Sequence, residues 1–213
     1  MLFNFHTHNI KEPFGIINIY PTENLPSKGI FSCGLHPWHY SKDYCSELEI
    51  IKHRACENKI IAIGETGLDP KSPIKLSEQL TILKKHIEIS EFYQLPLIIH
   101  CVKYHNELIR IKKQIVPKQS WIIHGYNSKT TTLQQLIDAG FCISINSNLL
   151  QNVQKAEEVL KIAGLDKVFI ETDDSDEDIS INYKFVANYF GYPIDKINNQ
   201  IINNLKRIGL NVA

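Results

Sequence analysis

The sequence predicts an α/β fold in which parallel strands alternate with helices. Short apolar stretches recur along the 213 residues, with helical stretches between most of them. Several of these stretches, such as residues 60–63 and 121–123, are apolar on both faces instead of alternating with polar residues. Parallel strands that are buried under helices have this composition. Eight candidate strands result, at residues 2–6, 16–20, 30–35, 60–65, 97–100, 121–124, 142–146 and 168–172.

Apolar residues at three- and four-residue spacing indicate the helices between these strands. The clearest series are Leu76, Leu80, Leu83 and Ile87; Leu108, Ile111 and Ile115; and Ile194, Ile197, Ile201, Leu205 and Ile208 near the C-terminus. Gly140 and Gly164 follow helical stretches and precede strands, where a residue in the left-handed conformation commonly ends a helix.

Two connections near the N-terminus are too short for a full helix. Nine residues, 7–15, separate the first two candidate strands, and nine more, 21–29, precede the third. A helical crossover needs about a dozen residues or more. We therefore expect a (β/α)8 TIM-like barrel that is reduced at the N-terminus, with its first two helices missing or rudimentary. In this barrel, residues 16–20 form either a short barrel strand or a displaced edge segment.

Composition places the chain among soluble globular proteins. Hydrophobic residues make up 43% and charged residues 22%, and no internal repeat or Gly/Ser linker interrupts the chain, so we expect one domain over residues 1–213. Lys plus Arg equals Asp plus Glu at 23 each, so no global positive field attracts polyanions. No apolar run approaches the roughly 18 residues of a membrane span, and the N-terminus lacks signal-peptide features. We expect a cytoplasmic protein with no membrane association, and infer no obligate protein partner.

The cysteines do not suggest a disulfide framework or a zinc ribbon. They are five in number, widely spaced, and contain no C-x-x-C pair. We expect five reduced thiols.

Potential catalytic side chains recur at the ends of the candidate strands, where parallel barrels collect them. Six strand ends carry His, Glu or Asp: residues 6–8 (HTH), 34–37 (GLHP), 64–67 (GETG), 99–100 (IH), 123–124 (IH) and 171–173 (ETD). His6 and His8 lie two residues apart, so an extended strand points both imidazoles to one face, where they can bind one cation. Taken singly, H-x-H is weak evidence, and His100 or His124 could be a buried histidine bonded to the backbone. Their coincidence at several strand ends favours a metal site.

This set of motifs resembles the TatD family of metal-dependent hydrolases, which belongs with the amidohydrolase-like TIM barrels. The matching stretches are residues 6–8, 32–38, 63–69, 96–100, 123–124 and 171–173, and the resemblance extends over nearly the whole chain. The G-E-T-G-L-D stretch at 64–69 is the most specific of them.

The resemblance implies two divalent metal ions. His6, His8 and Asp173 would hold one ion, His100 and His124 the second, and Glu65 would bridge the two. Asp173 would also accept the proton of the attacking water, which makes Glu65 and Asp173 the predicted catalytic residues. Imidazole and carboxylate ligands suit Zn, Mn, Ni, Fe or Mg and do not choose among them.

Several other polar residues have more than one possible role. His36 could contact a substrate phosphate or the leaving group, or it could stabilise its own turn. Asp69 could orient a ligand or cap the following turn. We expect His39, His53, His86 and His105, in loops or on helices, to be solvent-facing polar residues.

The chain departs from the family pattern in three places. Asn4 replaces the usual Asp two residues before the first histidine. After His100 the family has Ser or Thr, then Arg, then an acid, where this chain has Cys101, Val102 and Lys103. Lys103 could supply a displaced cation for substrate binding, or be a solvated residue. An acidic run, residues 174–178, replaces the Ser-Pro that follows the E-T-D motif.

The resemblance implies a divalent-metal-dependent hydrolase of ester bonds, most plausibly of phosphodiesters in DNA, as in TatD-like deoxyribonucleases. The missing Arg and the acidic run favour an alternative, in which the same binuclear site hydrolyses a small phosphoester, ester or amide. A third hypothesis is an inactive metal-binding protein that serves as an interaction module. It predicts that at least one metal ligand is replaced, and none of the six is.

Overall fold

The computed structural model describes residues 1–212, and their eight strands form one parallel sheet. The strands are β1 Asn4–Thr7, β2 Gly15–Ile19, β3 Ile30–Cys33, β4 Ala62–Leu68, β5 Leu97–Cys101, β6 Trp121–Ile123, β7 Cys142–Ile145 and β8 Val168–Ile170. They pair in chain order, each with the next. All eight predicted strands are confirmed, and residues 16–20 form part of a true barrel strand, because β2 pairs with both β1 and β3.

Helices follow most of the strands and cover the outside of the sheet. They are α1 Tyr44–Cys56, α2 Leu76–Tyr93, α3 His105–Ile115, α4 Thr130–Asp138, α5 Ser147–Leu150, α6 Val153–Ala163, α7 Ser180–Phe190 and α8 Ile194–Arg207, with a short 3-10 helix at Leu165–Lys167. Gly140 and Gly164 have positive φ at the ends of α4 and α6, as predicted. Within residues 1–212, no helix has the length and apolar character to cross a membrane.

The barrel closes at the C-terminal ends of β1 and β8. The backbone N–H of Asp173 donates to the carbonyl of His6 (3.0 Å), and the N–H of His8 donates to the carbonyl of Asp173 (3.2 Å). Nearby, the Asn4 side chain accepts a hydrogen bond from the backbone N–H of Thr172 (3.1 Å) and donates to the Thr172 hydroxyl (2.8 Å). The residue that departs from the family pattern at position 4 therefore joins the two strands of this seam.

The first two connections carry no helix, as the sequence predicts. A single buried guanidinium secures the second of them. Arg54, on α1, donates to the carbonyls of Tyr20 (3.1 Å), Pro21 (3.2 Å) and Glu23 (2.5 Å). It also contacts the Cys33 thiol at 3.3 Å. These bonds satisfy loop carbonyls that a helix would have satisfied internally.

Two histidines expected to face solvent are buried, so that prediction was wrong for them. His86, on α2, accepts a hydrogen bond from the backbone N–H of Leu35 (3.1 Å) and lies 2.9 Å from the Ile82 carbonyl. His105, at the start of α3, packs against Tyr126. Burial lowers the pKa of each imidazole to about 4, so both are neutral at pH 7. Both lie on the inward face of a helix, where the sequence pattern alone did not place them. His39 and His53 are exposed, as expected.

We expect Arg54→Met to lower the free energy of unfolding by about 2–4 kcal/mol, because it leaves three loop carbonyls without their charged donor. Urea unfolding followed by circular dichroism measures this. Arg110→Met is the matched control, since Arg110 forms an exposed ion pair with Glu107 and should cost less than about 1 kcal/mol. Equal, small losses in both variants would contradict the role given to Arg54.

Candidate metal centre

The six residues predicted as ligands lie together at the C-terminal end of the barrel. β1 supplies His6 and, one residue past its end, His8; β4 supplies Glu65; β5 supplies His100; His124 follows β6 and Asp173 follows β8. Their side-chain nitrogen and oxygen atoms form overlapping groups that are close enough to hold metal ions. The structure thus brings every predicted ligand into one cluster.

Glu65 lies in the middle of the cluster, and its two carboxylate oxygens face different histidines. Oε2 is 3.6 Å from Nε2 of His6 and 3.5 Å from Nε2 of His8. Oε1 is 2.6 Å from Nε2 of His124 and 3.0 Å from Nδ1 of His100. The carboxylate is buried, with 3% of its side-chain surface exposed. One carboxylate therefore separates two sets of nitrogen donors.

A polar residue on β2 fixes the backbone at Glu65. The side-chain oxygen of Asn18 accepts a hydrogen bond from the backbone N–H of Glu65 (2.7 Å) and a second from the Ser32 hydroxyl (3.2 Å). Sequence reasoning missed Asn18. Its signal was a single amide inside an otherwise apolar strand.

Asp173 faces the two histidines of β1. Its Oδ1 lies 3.6 Å from Nε2 of His6 and 3.8 Å from Nε2 of His8. Its side chain is 22% exposed, so solvent reaches it. Its backbone has φ of +56°, a left-handed conformation that Asp tolerates better than most residues. The two backbone hydrogen bonds to β1 hold it in that conformation.

A buried carboxylate orients His100. Nε2 of His100 lies 2.8 Å from Oδ2 of Asp69, and the indole N–H of Trp38 donates to the same oxygen at 2.9 Å. Asp69 Oδ1 accepts a hydrogen bond from the backbone N–H of Lys71 (2.7 Å), so Asp69 fills both roles that the sequence left open. With a proton on Nε2, His100 presents the lone pair of Nδ1 to the cluster. Metal-binding histidines are commonly oriented in this way by a carboxylate.

His36 also reaches Glu65, but as a hydrogen-bond donor. Its Nδ1 accepts the backbone N–H of Trp38 at 3.1 Å, which stabilises the turn. A neutral imidazole has one lone pair on nitrogen, so the proton of His36 is on Nε2, 3.2 Å from Oε1 of Glu65. Burial lowers the pKa of His36, although Glu65 opposes that shift. The neutral form with a proton on Nε2 therefore dominates, and a substrate contact through that N–H stays a prediction.

The charges of the cluster depend on one another. Burial alone would raise the pKa of Glu65, but His124, His100 and His36 hold it well below its usual range. Burial alone would lower the pKa of His124, but Glu65 and Glu171 raise it well above its ordinary value. Burial raises the pKa of Asp173; His124 opposes that shift and Glu171 adds to it. The buried carboxylates therefore need positive charge beside them.

The donor set fits divalent metal ions. Both ring nitrogens of His6 and Nδ1 of His124 are buried without a hydrogen-bond partner among the described residues, although buried polar atoms are normally paired. A cation between Nε2 of His6 and the carboxylates of Glu65 and Asp173 would satisfy that nitrogen and balance the carboxylates. Imidazole nitrogen and carboxylate oxygen are ordinary ligands of Zn, Mn, Fe and Ni.

Glu171 belongs to the E-T-D motif, but the sequence alone did not predict a role for it. Its Oε1 lies 3.6 Å from Nδ1 of His124, and the carboxylate accepts hydrogen bonds from the Ser144 hydroxyl and, at 3.4 Å, from the Asn146 amide. It is fully buried. Glu171 therefore balances the charge of His124 from the side opposite Glu65.

Two further predicted features lie at the rim of the cluster. Lys103 is exposed, two residues past β5, with left-handed backbone, and its substrate contact stays a prediction. In the acidic run, Asp174 lies 3.9 Å from His8 Nε2 with 84% of its side chain exposed. Asp178 caps the start of α7, because its Oδ1 accepts the N–H of Ser180 at 2.8 Å. The run is thus both an acidic rim and a helix cap.

Comparisons with known proteins decide the family. The family model described as TatD related DNase matches residues 17–208. The chain belongs to the TatD family. Among curated relatives, an uncharacterized metal-dependent hydrolase of Buchnera aphidicola (subsp. Baizongia pistaciae) is 32% identical over 68% of this chain and 55% of its own length. The uncharacterized metal-dependent hydrolase YcfH of Escherichia coli K12 is 27% identical over the same shares. The chain thus spans about half the length of these TatD-family relatives.

Solved structures support the same fold. The crystal structure of YjjV, a TatD homologue from Escherichia coli K12, superposes with a TM-score of 0.80 at 18% identity, covering 97% of each chain. A TatD-family hydrolase from Entamoeba histolytica gives a TM-score of 0.77 at 16% identity, with the same coverage. The reduced TIM-like barrel predicted from the sequence is therefore confirmed.

We expect Asp69→Asn to weaken binding of Zn²⁺ by about tenfold to hundredfold, because His100 loses the charged acceptor that fixes its proton on Nε2. Isothermal titration calorimetry on metal-stripped protein measures the affinity. Asp166→Asn removes an equal charge from an exposed ion pair with Arg207 and should leave the affinity unchanged. Unaltered binding in Asp69→Asn would show that His100 is not a ligand through Nδ1.

Proposed function

We propose that this protein hydrolyses phosphodiester bonds in DNA with water activated at a pair of divalent cations. The observation that carries the proposal is the position of Glu65, with Oε2 facing His6 and His8 and Oε1 facing His100 and His124. The description of the matching family model supports DNA as the substrate.

The donor groups divide between two ions. His6, His8 and Asp173 would hold the first ion with Oε2 of Glu65. His100 and His124 would hold the second with Oε1. The donor types suit Zn, Mn, Ni, Fe or Mg.

The residues contribute distinct steps. Divalent cations held by these residues would lower the pKa of a bound water and neutralise charge on a phosphoryl oxygen. Asp173 would accept the proton of the attacking water, because its carboxylate lies beside His6 and His8 and is 22% exposed, so solvent reaches it. Glu65 is too deeply buried to exchange protons with solvent. Its role would be to hold the two ions, each between one of its oxygens and one set of histidines. The Nε2–H of His36 donates to Oε1 of Glu65 in this structure. With a cation bound at that oxygen, the N–H would be free to donate to an anionic oxygen of the substrate.

A small phosphoester, ester or amide is the second candidate substrate. The acidic rim favours it, because Asp174 lies beside His8 and would repel a long polyanion on that side. The residues after His100 lack the arginine of the family pattern, which also weakens phosphate recognition. Product analysis on a DNA oligonucleotide and on a panel of small esters, with each candidate ion, distinguishes the two substrate classes.

Glu65→Gln and Asp173→Asn should both be inactive but should differ in metal content. Removing the charge of Glu65 leaves two dications without the carboxylate between them, so their repulsion should expel one. Asp173→Asn leaves each cation its other donors and removes the proton acceptor, so most of the metal should remain. Elemental analysis of both variants alongside the wild-type protein measures the difference. Full activity of Glu65→Gln at saturating metal would show that the bridge is assigned wrongly.

Neutralising the acidic rim should strengthen DNA binding at low salt. The variant Asp174→Asn, Asp176→Asn, Glu177→Gln keeps Asp178, because that residue caps α7. We expect an affinity gain of about threefold to tenfold for an oligonucleotide, shrinking as salt rises. The control neutralises Glu49, Glu88 and Glu107 on α1, α2 and α3, which gives the same net charge elsewhere. Equal gains in the two triple variants would mean that the rim does not face bound DNA.

A further inference from the structure

A cavity beside the metal centre is lined by amides. It has a volume of about 320 Å³, and three of the predicted ligands line it, His100, His124 and Asp173. The rest of the lining is Cys101, Val102, Gly125 and four amide side chains: Asn127, Asn146, Asn148 and Gln151. The lining includes no lysine or arginine. Amides donate and accept hydrogen bonds without a net charge, so this cavity suits an uncharged polar group more than a second phosphate.

A second cavity shares one lining residue with the first and carries positive charge. Asn127 lines both cavities. The second has a volume of about 590 Å³, and its lining includes Lys129, Lys155 and one acid, Glu158. The hydroxyl residues Ser128, Thr130 and Thr131 complete the wall. Two lysine ammonium groups and one carboxylate give this second cavity a net positive charge.

Lys155 binds Asn127, the residue that both cavities share, and its positive charge remains available to a ligand. Its ammonium donates to the Asn127 carbonyl at 2.9 Å and to the Asn127 side-chain oxygen at 2.6 Å. Both acceptors are neutral, so they use two of its three N–H donors without cancelling its charge.

We propose that these two cavities bind the nucleoside next to the scissile phosphodiester and then the following phosphate. A polynucleotide alternates anionic phosphate with a neutral sugar and base. The surface alternates in the same order, from the metal centre to the amide cavity and then to Lys129 and Lys155. The inference rests on the proposed function and adds the path of the substrate: the nucleic-acid strand leaves past the loops that follow β6 and β7, toward Lys129 and Lys155.

The size of the first cavity is consistent with this occupant, because small-molecule sites span about 300–1,000 Å³. The charge contrast also gives the path a direction. Residues 174–178 carry four acids besides Ser175, whereas the cavity at Lys155 carries net positive charge. A polyanion bound at the centre is therefore repelled by residues 174–178 and attracted toward Lys129 and Lys155.

The test uses Mn²⁺-loaded protein and three thymidine dinucleotides, each with one phosphodiester: one without terminal phosphate, one with a 5′ phosphate and one with a 3′ phosphate. At low salt, we expect one phosphorylated dinucleotide to have a KM about threefold to tenfold below that of the unphosphorylated one. Lys155→Met should abolish that preference and Lys155→Arg should retain it. The preference is a ratio measured within one variant, so a general loss of stability does not change it.

Lys161→Met, also on α6, is the matched control and should keep the wild-type preference, because Lys161 lines neither cavity. Hydrolysis of all three dinucleotides with equal KM overturns the path while leaving the proposed function in place. A preference that survives Lys155→Met overturns it as well. Failure to hydrolyse any dinucleotide at saturating metal overturns both the path and the phosphodiesterase activity.

Discussion

The buried carboxylate of Glu65 is the constraint from which the rest of the centre follows. A carboxylate with 3% exposure is costly unless positive charge and hydrogen bonds surround it. The ends of β1, β5 and β6 supply nitrogen donors around it, and Asn18 holds its backbone in place. Glu171 adds a second buried carboxylate behind His124, so with Asp173 the cluster carries more negative charge than a protonated His124 alone can balance. Divalent cations would restore that balance, which is why the residues fit a metal centre better than a structural hydrogen-bond network.

The hydrogen bonds that close the barrel also position three of the predicted metal ligands. The backbone bonds that join β1 to Asp173 also fix the spacing of His6, His8 and the Asp173 carboxylate. Asn4, two residues before His6, strengthens the seam through both the oxygen and the nitrogen of its side-chain amide. A barrel without its first two helices therefore keeps a rigid centre, because closure depends on strand-end hydrogen bonds and not on the missing helices.

Much of this arrangement could be predicted from the sequence, because parallel strands place their C-terminal ends at one end of a barrel. The eight strands and the gathering of the strand-end residues follow from apolar runs that end in polar residues: His6, His8, Glu65, His100, His124 and Asp173. The two missing helices follow from the nine-residue connections on either side of β2. The orientation of individual imidazoles could not be predicted. The proton on Nε2 of His36 depends on a backbone N–H two residues away, and that of His100 on a carboxylate from another strand. The burial of His86 could not be predicted for a related reason, since it depends on the turn at Leu35 that packs against it.

The most direct test of the account is the position of the metal ions relative to Glu65. Crystals of the Mn²⁺-loaded protein, measured by anomalous diffraction, show each ion without reference to activity. The account predicts two peaks roughly 3.5–4 Å apart, one between Oε2 of Glu65 and the histidines of β1, the other between Oε1 and the pair His100 and His124. A single peak, or two peaks that leave Glu65 uncoordinated, would contradict it.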